Sequence, residues 1–325
     1  VAARRGARGS RRASRGGRVE VGVAGRGAAE LSEFLKVSPE VARAVDGGRP
    51  VVALESSIIG QGLPSPHNLR AARGCEEVIR EAGAVPATVA ILDGLIKVGL
   101  EDEDLQRVAS GDAVKVSSRD LGPAIVQRRV GATTVAATVR AAALAGIRFF
   151  ATGGIGGVHR GHPEDESADL EEISRSPVAV FCAGAKIILD LRLTLERLES
   201  LGVPVLGFMT DEFPAFYASG SGCPVSARAD DANETALVLR AVWSTGGHGV
   251  VVAIPPPYDL DGAEEMARRA ARDLGDVSGA AVTPRLLARM AELSGGRSLA
   301  LNLELVVNNA RIAARVAKEY YSSYS

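Results

Sequence analysis

Short apolar runs alternate with amphipathic stretches along most of the chain. Runs of three to five apolar or small residues recur at Val51–Leu54, Thr88–Leu92, Val114–Val116, Phe149–Ala151, Val178–Phe181, Val203–Gly207 and Val250–Ile254. Helical spacing fills several of the gaps, at Asn68–Glu81, Leu121–Arg129, Thr134–Ala145, Ala185–Leu201 and Asn233–Trp243. Apolar strands separated by helical periods predict an α/β fold, with a central sheet layered between helices. In AILDGLIKVGL the Asp93–Gly94 pair separates two apolar runs and reads as a hairpin turn, since glycine accepts the positive φ of a tight turn. The sheet is therefore expected to be mixed. Two more helices are expected towards the C-terminus, Pro284–Leu293 and Leu299–Tyr320. No long linker or internal repeat interrupts residues 45–320, which read as one domain, followed by a short tail at 321–325.

The first 44 residues differ. Seven arginines precede the first acidic residue, Glu20, with no apolar run among them. This basic segment is expected to be a disordered leader or an extension of the natural start, with an organelle presequence as the alternative. The remainder is ordinary in balance: 46% hydrophobic, 24% charged and a formal net charge of −1, so no global field recruits nucleic acid or membrane. Aromatics are only 4%, which further disfavours base stacking on single-stranded RNA. Three cysteines without CxxC spacing give no disulfide framework, and a cytoplasmic location is expected.

Several polar residues stand where such a scaffold exposes chemistry. Glu55 ends an apolar strand, and a carboxyl there either transfers protons or caps a loop through backbone amides. His67 follows Pro66 and reads as a cap or packing residue. Lys115, between Val114 and Val116, suits a phosphate or simply points to solvent. Thr133 and Thr134 precede an Ala-rich helix, where hydroxyls bind an anion or cap the helix. The five residues GGIGG (153–157) let backbone pass close to substrate or to another loop, without the Walker or dinucleotide spacing. His159 and Arg160 follow, and then an acidic cluster of Glu164, Asp165, Glu166 and Asp169 suits a hard divalent ion such as Mn²⁺ or Mg²⁺, or an exposed acidic loop. Lys186 is expected in the first turns of a helix, where the dipole together with partial burial favours a neutral, nucleophilic amine, or else the side chain simply faces solvent. Its neighbour Cys182 reads as a packed thiol. Asn302, Asn308 and Asn309 lie in an apolar helix, reaching either a ligand or another helix.

Seven segments in this order, ALESSIIGQGLPSPHN, GAVPATVAILDGLIKVGL, GATTVAAT, FFATGGIGGVHRG, SADL, VFCAGAK and NNARIAARVAKEY, resemble the pseudouridine 5'-phosphate glycosidase family over about residues 45–320. The resemblance implies reversible cleavage of the C–C glycosidic bond of pseudouridine 5'-phosphate to uracil and D-ribose 5-phosphate, through ring-opened ribose and a lysine imine. It implies Glu55 as proton donor, Lys186 as covalent nucleophile and Asp165 as ligand of Mn²⁺, with Mg²⁺ or another divalent ion as alternatives. Lys115, Val135, Ser167, Ala168 and Asp169 would surround the substrate. His159 and Asn309 would be further pocket residues, with Asn308 the alternative to Asn309. A homotrimer, and a pseudouridine kinase as functional partner, follow from the same resemblance. The RGHPE stretch between His159 and Asp165 is shorter than the usual loop, and Glu166 stands where an apolar residue is commoner. A Schiff-base sugar-phosphate aldolase or lyase, and a non-catalytic phosphorylated-ligand binder, are the competing readings of the same residues.

Overall fold

In the computed structural model the described residues are 33–275 and 282–322. Contacts divide the chain into Val1–Glu33, of which all but Glu33 lies outside the described residues, and one unit over Phe34–Ser325. The folded unit thus begins some ten residues before the expected boundary at 45. Strand β1 (Leu35–Val37) pairs in parallel with β4 (Leu95–Val98), and α1 (Pro39–Asp46) follows, capped by the Ser38 hydroxyl. The last helix runs into the expected 321–325 tail as far as Ser322, and residues 323–325 lie outside the described residues.

The remaining strands are β2 (Val51–Leu54), β3 (Val85–Leu92), β5 (Val114–Val116), β6 (Gly131–Thr133), β7 (Phe149–Ala151), β8 (Val158–His159), β9 (His162–Glu166), β10 (Ala179–Cys182), β11 (Leu189–Asp190), β12 (Val205–Phe208), β13 (Ala227–Ala229) and β14 (Val250–Ala253). The helices are α2 (His67–Glu81), α3 (Asp102–Ala109), α4 (Leu121–Val126), α5 (Val135–Leu144), α6 (Ala168–Arg175), α7 (Leu191–Ser200), α8 (Ala232–Ser244), α9 (Ala263–Leu274), α10 (Val282–Leu293) and α11 (Arg297–Ser322).

The main sheet has the order β1-β4-β3-β2-β7-β10-β14-β12-β13. Its central strands β2, β7, β10 and β14 are parallel and buried at every position, which is why they read as unbroken apolar runs. Alternate residues supply two cores. Val52, Leu54 and Phe149 pack towards α2, α8 and α11, whereas Val51, Ala53 and Phe150 pack towards α1 and α4–α7. This is the expected layered α/β/α arrangement. The expected hairpin joins β3 to β4 in antiparallel register, and both turn residues have positive φ, Asp93 at 58° and Gly94 at 78°.

Strand β3 outruns β2. Its first half pairs with β2; beyond that, β6 pairs with Ala90 and Ile91 on the edge that β4 leaves open, and β5 pairs with β6. The sheet therefore splits at the C-terminal end of β2. A separate three-stranded sheet, β11-β8-β9, stands beyond β7 and β10 in the chain path.

Candidate active site

From β2 the chain passes through α2 to β3 on one side, and from β7 through α6 to β10 on the other. The β2–β7 boundary is thus a topological switch point, where an open α/β sheet leaves a crevice at the strand C-termini. Glu55 follows β2 and Thr152 follows β7. Thr152 Oγ1 donates to Glu55 Oε1, and Ser57 Oγ donates to Oε2. Burial pushes the Glu55 carboxyl up, while the Lys186 ammonium and the two hydroxyl donors pull it back less strongly. Its carboxylate is therefore held by side chains rather than by the backbone amides of a loop cap.

Lys186 lies after β10, but not in a helix. The segment Ala183–Lys186 continues the β7–β10 pairing as irregular backbone: Ala183 N donates to Gly153 O at 2.8 Å, Ile155 N to Gly184 O at 3.0 Å, and Lys186 N to Ile155 O at 3.2 Å. Helix α7 begins only at Leu191, where Asp190 accepts from Leu193 N. The expected influence of a helix dipole on this amine therefore falls away; its charge instead faces Glu55 and Lys115. Gly184 makes the path possible, because a Cβ there, at φ 75°, would lie 1.8 Å from Pro214 O.

The split in the sheet brings Lys115 and Val135 to the same place. Ser56 Oγ accepts from Thr133 N at 2.9 Å, tying the end of β2 to β6. Lys115 sits on β5 beside β6, and Val135 opens α5. Burial holds the Lys115 ammonium below the usual lysine range, aided by repulsion from Lys186 and opposed by Asp169 and Glu55. Thr134 precedes α5 without capping it by its side chain, and its buried Oγ1 has no hydrogen-bond partner among the described residues.

Asp169 is 6% exposed, and its two oxygens accept from Ala136 N at 2.9 Å and Gly156 N at 2.8 Å. It clasps the start of α5 to the glycine loop. Ser167 caps α6 through Asp169 N, and Ala168 is the first residue of that helix. The glycines allow close approach to other protein segments: a Cβ on Gly156 would lie 2.3 Å from Ser167 Oγ, and one on Gly157 2.3 Å from Thr194 Oγ1.

The acidic stretch expected as a loop is mostly strand β9, in a hairpin with β8. His159 Nδ1 lies 3.0 Å from Asp165 O and 3.1 Å from Asp165 Oδ2. Glu166 is engaged by Arg197, Glu164 approaches His162, and Asp169 is committed to amides. Among the described residues no three His, Cys, Asp or Glu side chains converge on a common metal position. Asp165 is exposed and its Oδ2 lies beside His159; a single carboxylate of this kind would suit only a largely hydrated hard ion, not an all-protein cage.

Glu55, Lys115, Val135, His159, Asp165, Ser167, Ala168, Asp169 and Lys186 all line one cleft of about 1040 Å³, which Arg268, Leu274 and Leu286 also line. Asn309 does not line it. Fully buried, it donates from Nδ2 to Thr152 O at 2.8 Å, and so reaches the site through Thr152; Asn308 is only half-buried. His67 opens α2 away from the cleft, with Nδ1 buried and unpaired among the described residues. Ser57, Thr152 and the clamp by Arg160, which donates to the carbonyls of Leu189 and Ile187 beside Lys186, were not assigned from the sequence. Their signal was weak: each is a hydroxyl or arginine next to an expected site residue. Cys182 is fully buried and its thiol is pushed up to about 12 by burial, in keeping with a packing role.

The indigoidine synthase A-like protein family matches residues 40–319. A pseudouridine-5'-phosphate glycosidase of Myxococcus xanthus is 50% identical over 297 residues, covering 88% of this chain and 98% of that protein. One from Deinococcus radiodurans is 51% identical over 300 residues, covering 89% and 96%. Among solved structures, the prealnumycin C-glycosynthase AlnA in complex with ribulose 5-phosphate superposes with a TM-score of 0.82 at 38% identity, covering 90% of this chain and 98% of that one. An indigoidine synthase A-like protein from Thermotoga maritima gives 0.81 at 32%, covering 89% and 97%.

Proposed function

The chain belongs to the indigoidine synthase A-like family, among pseudouridine-5'-phosphate glycosidases, and on that premise we propose that it reversibly cleaves pseudouridine 5'-phosphate into uracil and D-ribose 5-phosphate. The observation that carries this reading is the meeting of Glu55 and Lys186 at one cleft that Lys115 also lines. A carbon leaving group gives a glycosidase no heteroatom to protonate, so an ordinary pair of carboxylates is insufficient.

Glu55 delivers a proton to the ribose ring oxygen as the C1'–O4' bond breaks, with the electrons supplied by uracil. The Lys186 amine then bonds to C1' as the C1'=C5 electron pair returns to the uracil ring, and the proton shed by the resulting ammonium is taken up at uracil C5. The nitrogen lone pair forms the C=N bond as the C1'–C5 bond breaks, releasing uracil. Water hydrolyses the imine, restoring the amine and giving ribose 5-phosphate. Lys115 and His159 bind the phosphate, whose remote binding energy orients C1' towards Lys186. Asn309 supports the pocket from behind by fixing Thr152. Asp165 would hold a divalent ion such as Mn²⁺ or Mg²⁺, which when bound would supply positive field to anionic oxygens.

The working form is taken to be a cytoplasmic homotrimer, to be checked by light scattering; a kinase acting on pseudouridine is the class of enzyme that supplies the substrate. Among the described residues no helix is long and apolar enough to cross a membrane. The deciding assay incubates the protein with pseudouridine 5'-phosphate and Mn²⁺ and follows both products by mass spectrometry. Uracil and ribose 5-phosphate in equal amounts support the reading, and their absence removes it.

A further inference from the structure

Glu55 is held between two hydroxyls in unlike surroundings. Ser57 lines the cleft, whereas Thr152 is 4% exposed and faces a small cavity behind the carboxyl. Thr152 is fixed at both ends: its N–H donates to Phe181 O at 2.9 Å and its carbonyl accepts from Asn309 Nδ2. A hydroxyl can donate or accept, so a carboxyl flanked by two of them can bond in either protonation state.

Resting on the reading of Glu55 as proton carrier, we propose that Thr152 and Ser57 are its positioning residues, Thr152 as the constant donor to Oε1 and Ser57 as the partner that reverses when Oε2 takes up a proton. The buried Thr152 hydroxyl keeps Oε1 an acceptor throughout. The proton then resides on Oε2, on the side of the cleft, and the Ser57 O–H turns towards substrate or water as it begins to accept. One proton moves between Oε2 and substrate; the Ser57 hydrogen bond to Oε2 reverses with it, and the Thr152 bond to Oε1 does not change.

Removing either donor weakens the stabilisation of the ionised carboxylate while burial persists, so the pH-rate limb belonging to Glu55 must move to higher pH. A hydrogen bond to a charged group predicts a shift of about one pH unit. The test is the pH dependence of kcat for Thr152→Val, Ser57→Ala and Thr152→Ser, with Glu55→Gln alongside. An upward shift in the first two, with Thr152→Ser returned to the wild-type limb, supports the proposal. A uniform fall in kcat at every pH with the limb unmoved overturns it, because that is the mark of a merely structural role. If Thr152→Val does not fold, the Ser57→Ala limb decides in the same way. Full activity in Glu55→Gln overturns the reading of Glu55 itself; loss of activity there together with unmoved limbs in the hydroxyl variants overturns the positioning role alone.

Discussion

Thr152 Oγ1 donates to Glu55 Oε1 across the boundary between β7 and β2, joining residues 97 positions apart at the point where the sheet connections diverge. The bond holds the Glu55 carboxyl between the ends of two neighbouring strands. It also places an ionisable group where water is scarce, and that has a thermodynamic consequence.

Burial raises the Glu55 pKa, so the folded chain keeps this proton to a higher pH than the unfolded chain does. Between the unfolded value and the raised folded value, stability falls by about 1.4 kcal/mol per pH unit. Stability from this group is therefore complete below the unfolded pKa and lost as pH rises through the folded one. Glu55→Gln escapes that loss. Thermal melts should show it more stable than wild type by about 2 °C or more at about pH 8, and by less at about pH 4. An equal difference at both values would contradict a protonation-linked cost.

Lys186→Ala should lose turnover by about a thousandfold or more while binding substrate within about tenfold of wild type, since the nucleophile acts in the chemical steps. Borohydride added during turnover should leave a ribose phosphate adduct on wild type, mapped by mass spectrometry to Lys186. An adduct on another lysine would transfer the role.

Asp169 offers one oxygen to each of two buried amides. Asp169→Ala strands both and should cost about 2–5 kcal/mol; Asp169→Asn retains one acceptor and should cost about 1–3 kcal/mol. Urea titrations measure both. Equal stability of the two variants would show that the clasp does not depend on two acceptor oxygens.

Gly184 and Gly161 have nearly the same φ, 75° and 76°, but of the two only Gly184 is crowded; nothing lies within 4 Å of a Cβ on Gly161. Gly161→Ala should cost about 1–2 kcal/mol. Gly184→Ala adds a collision with Pro214 O and should cost well beyond that, displacing the backbone that leads to Lys186. Chemical denaturation, with borohydride trapping as the functional readout, separates strain from collision.

Asp165→Asn should raise the Mn²⁺ concentration for half-maximal turnover by about tenfold or more, the scale on which even outer partners of a metal matter. Direct Mn²⁺ titration by electron paramagnetic resonance should weaken in parallel. Unchanged binding in that titration would move the ion elsewhere.

The buried strands were legible because parallel strands covered on both faces carry apolar side chains throughout; β2 and β7 match their expected bounds residue for residue. Glu55 and Lys186 were legible for the same reason, as polar residues just beyond such runs. The helix assigned from Ala185 was not, because Ile187–Leu189 fits a helical period equally well. What excludes it is pairing of Leu189 with His159, and Asp190 capping at the later start. β9 was hidden for a related reason: HPEDE is exposed throughout, so nothing in its polarity alternates. Thr152 could not be paired with Glu55 before the strand order was known. The early boundary at 45 failed on length, since LKV is too short a run to announce a strand by itself.

Helix α11 follows every strand in the chain, yet its Asn309 grips the carbonyl of Thr152 in the middle of the sheet. During synthesis the strands can emerge and pair while Thr152 still lacks that support. A nascent chain stalled before residue 297 would carry both Glu55 and Lys186 but not the Asn309 side chain that holds Thr152, the hydroxyl partner of Glu55.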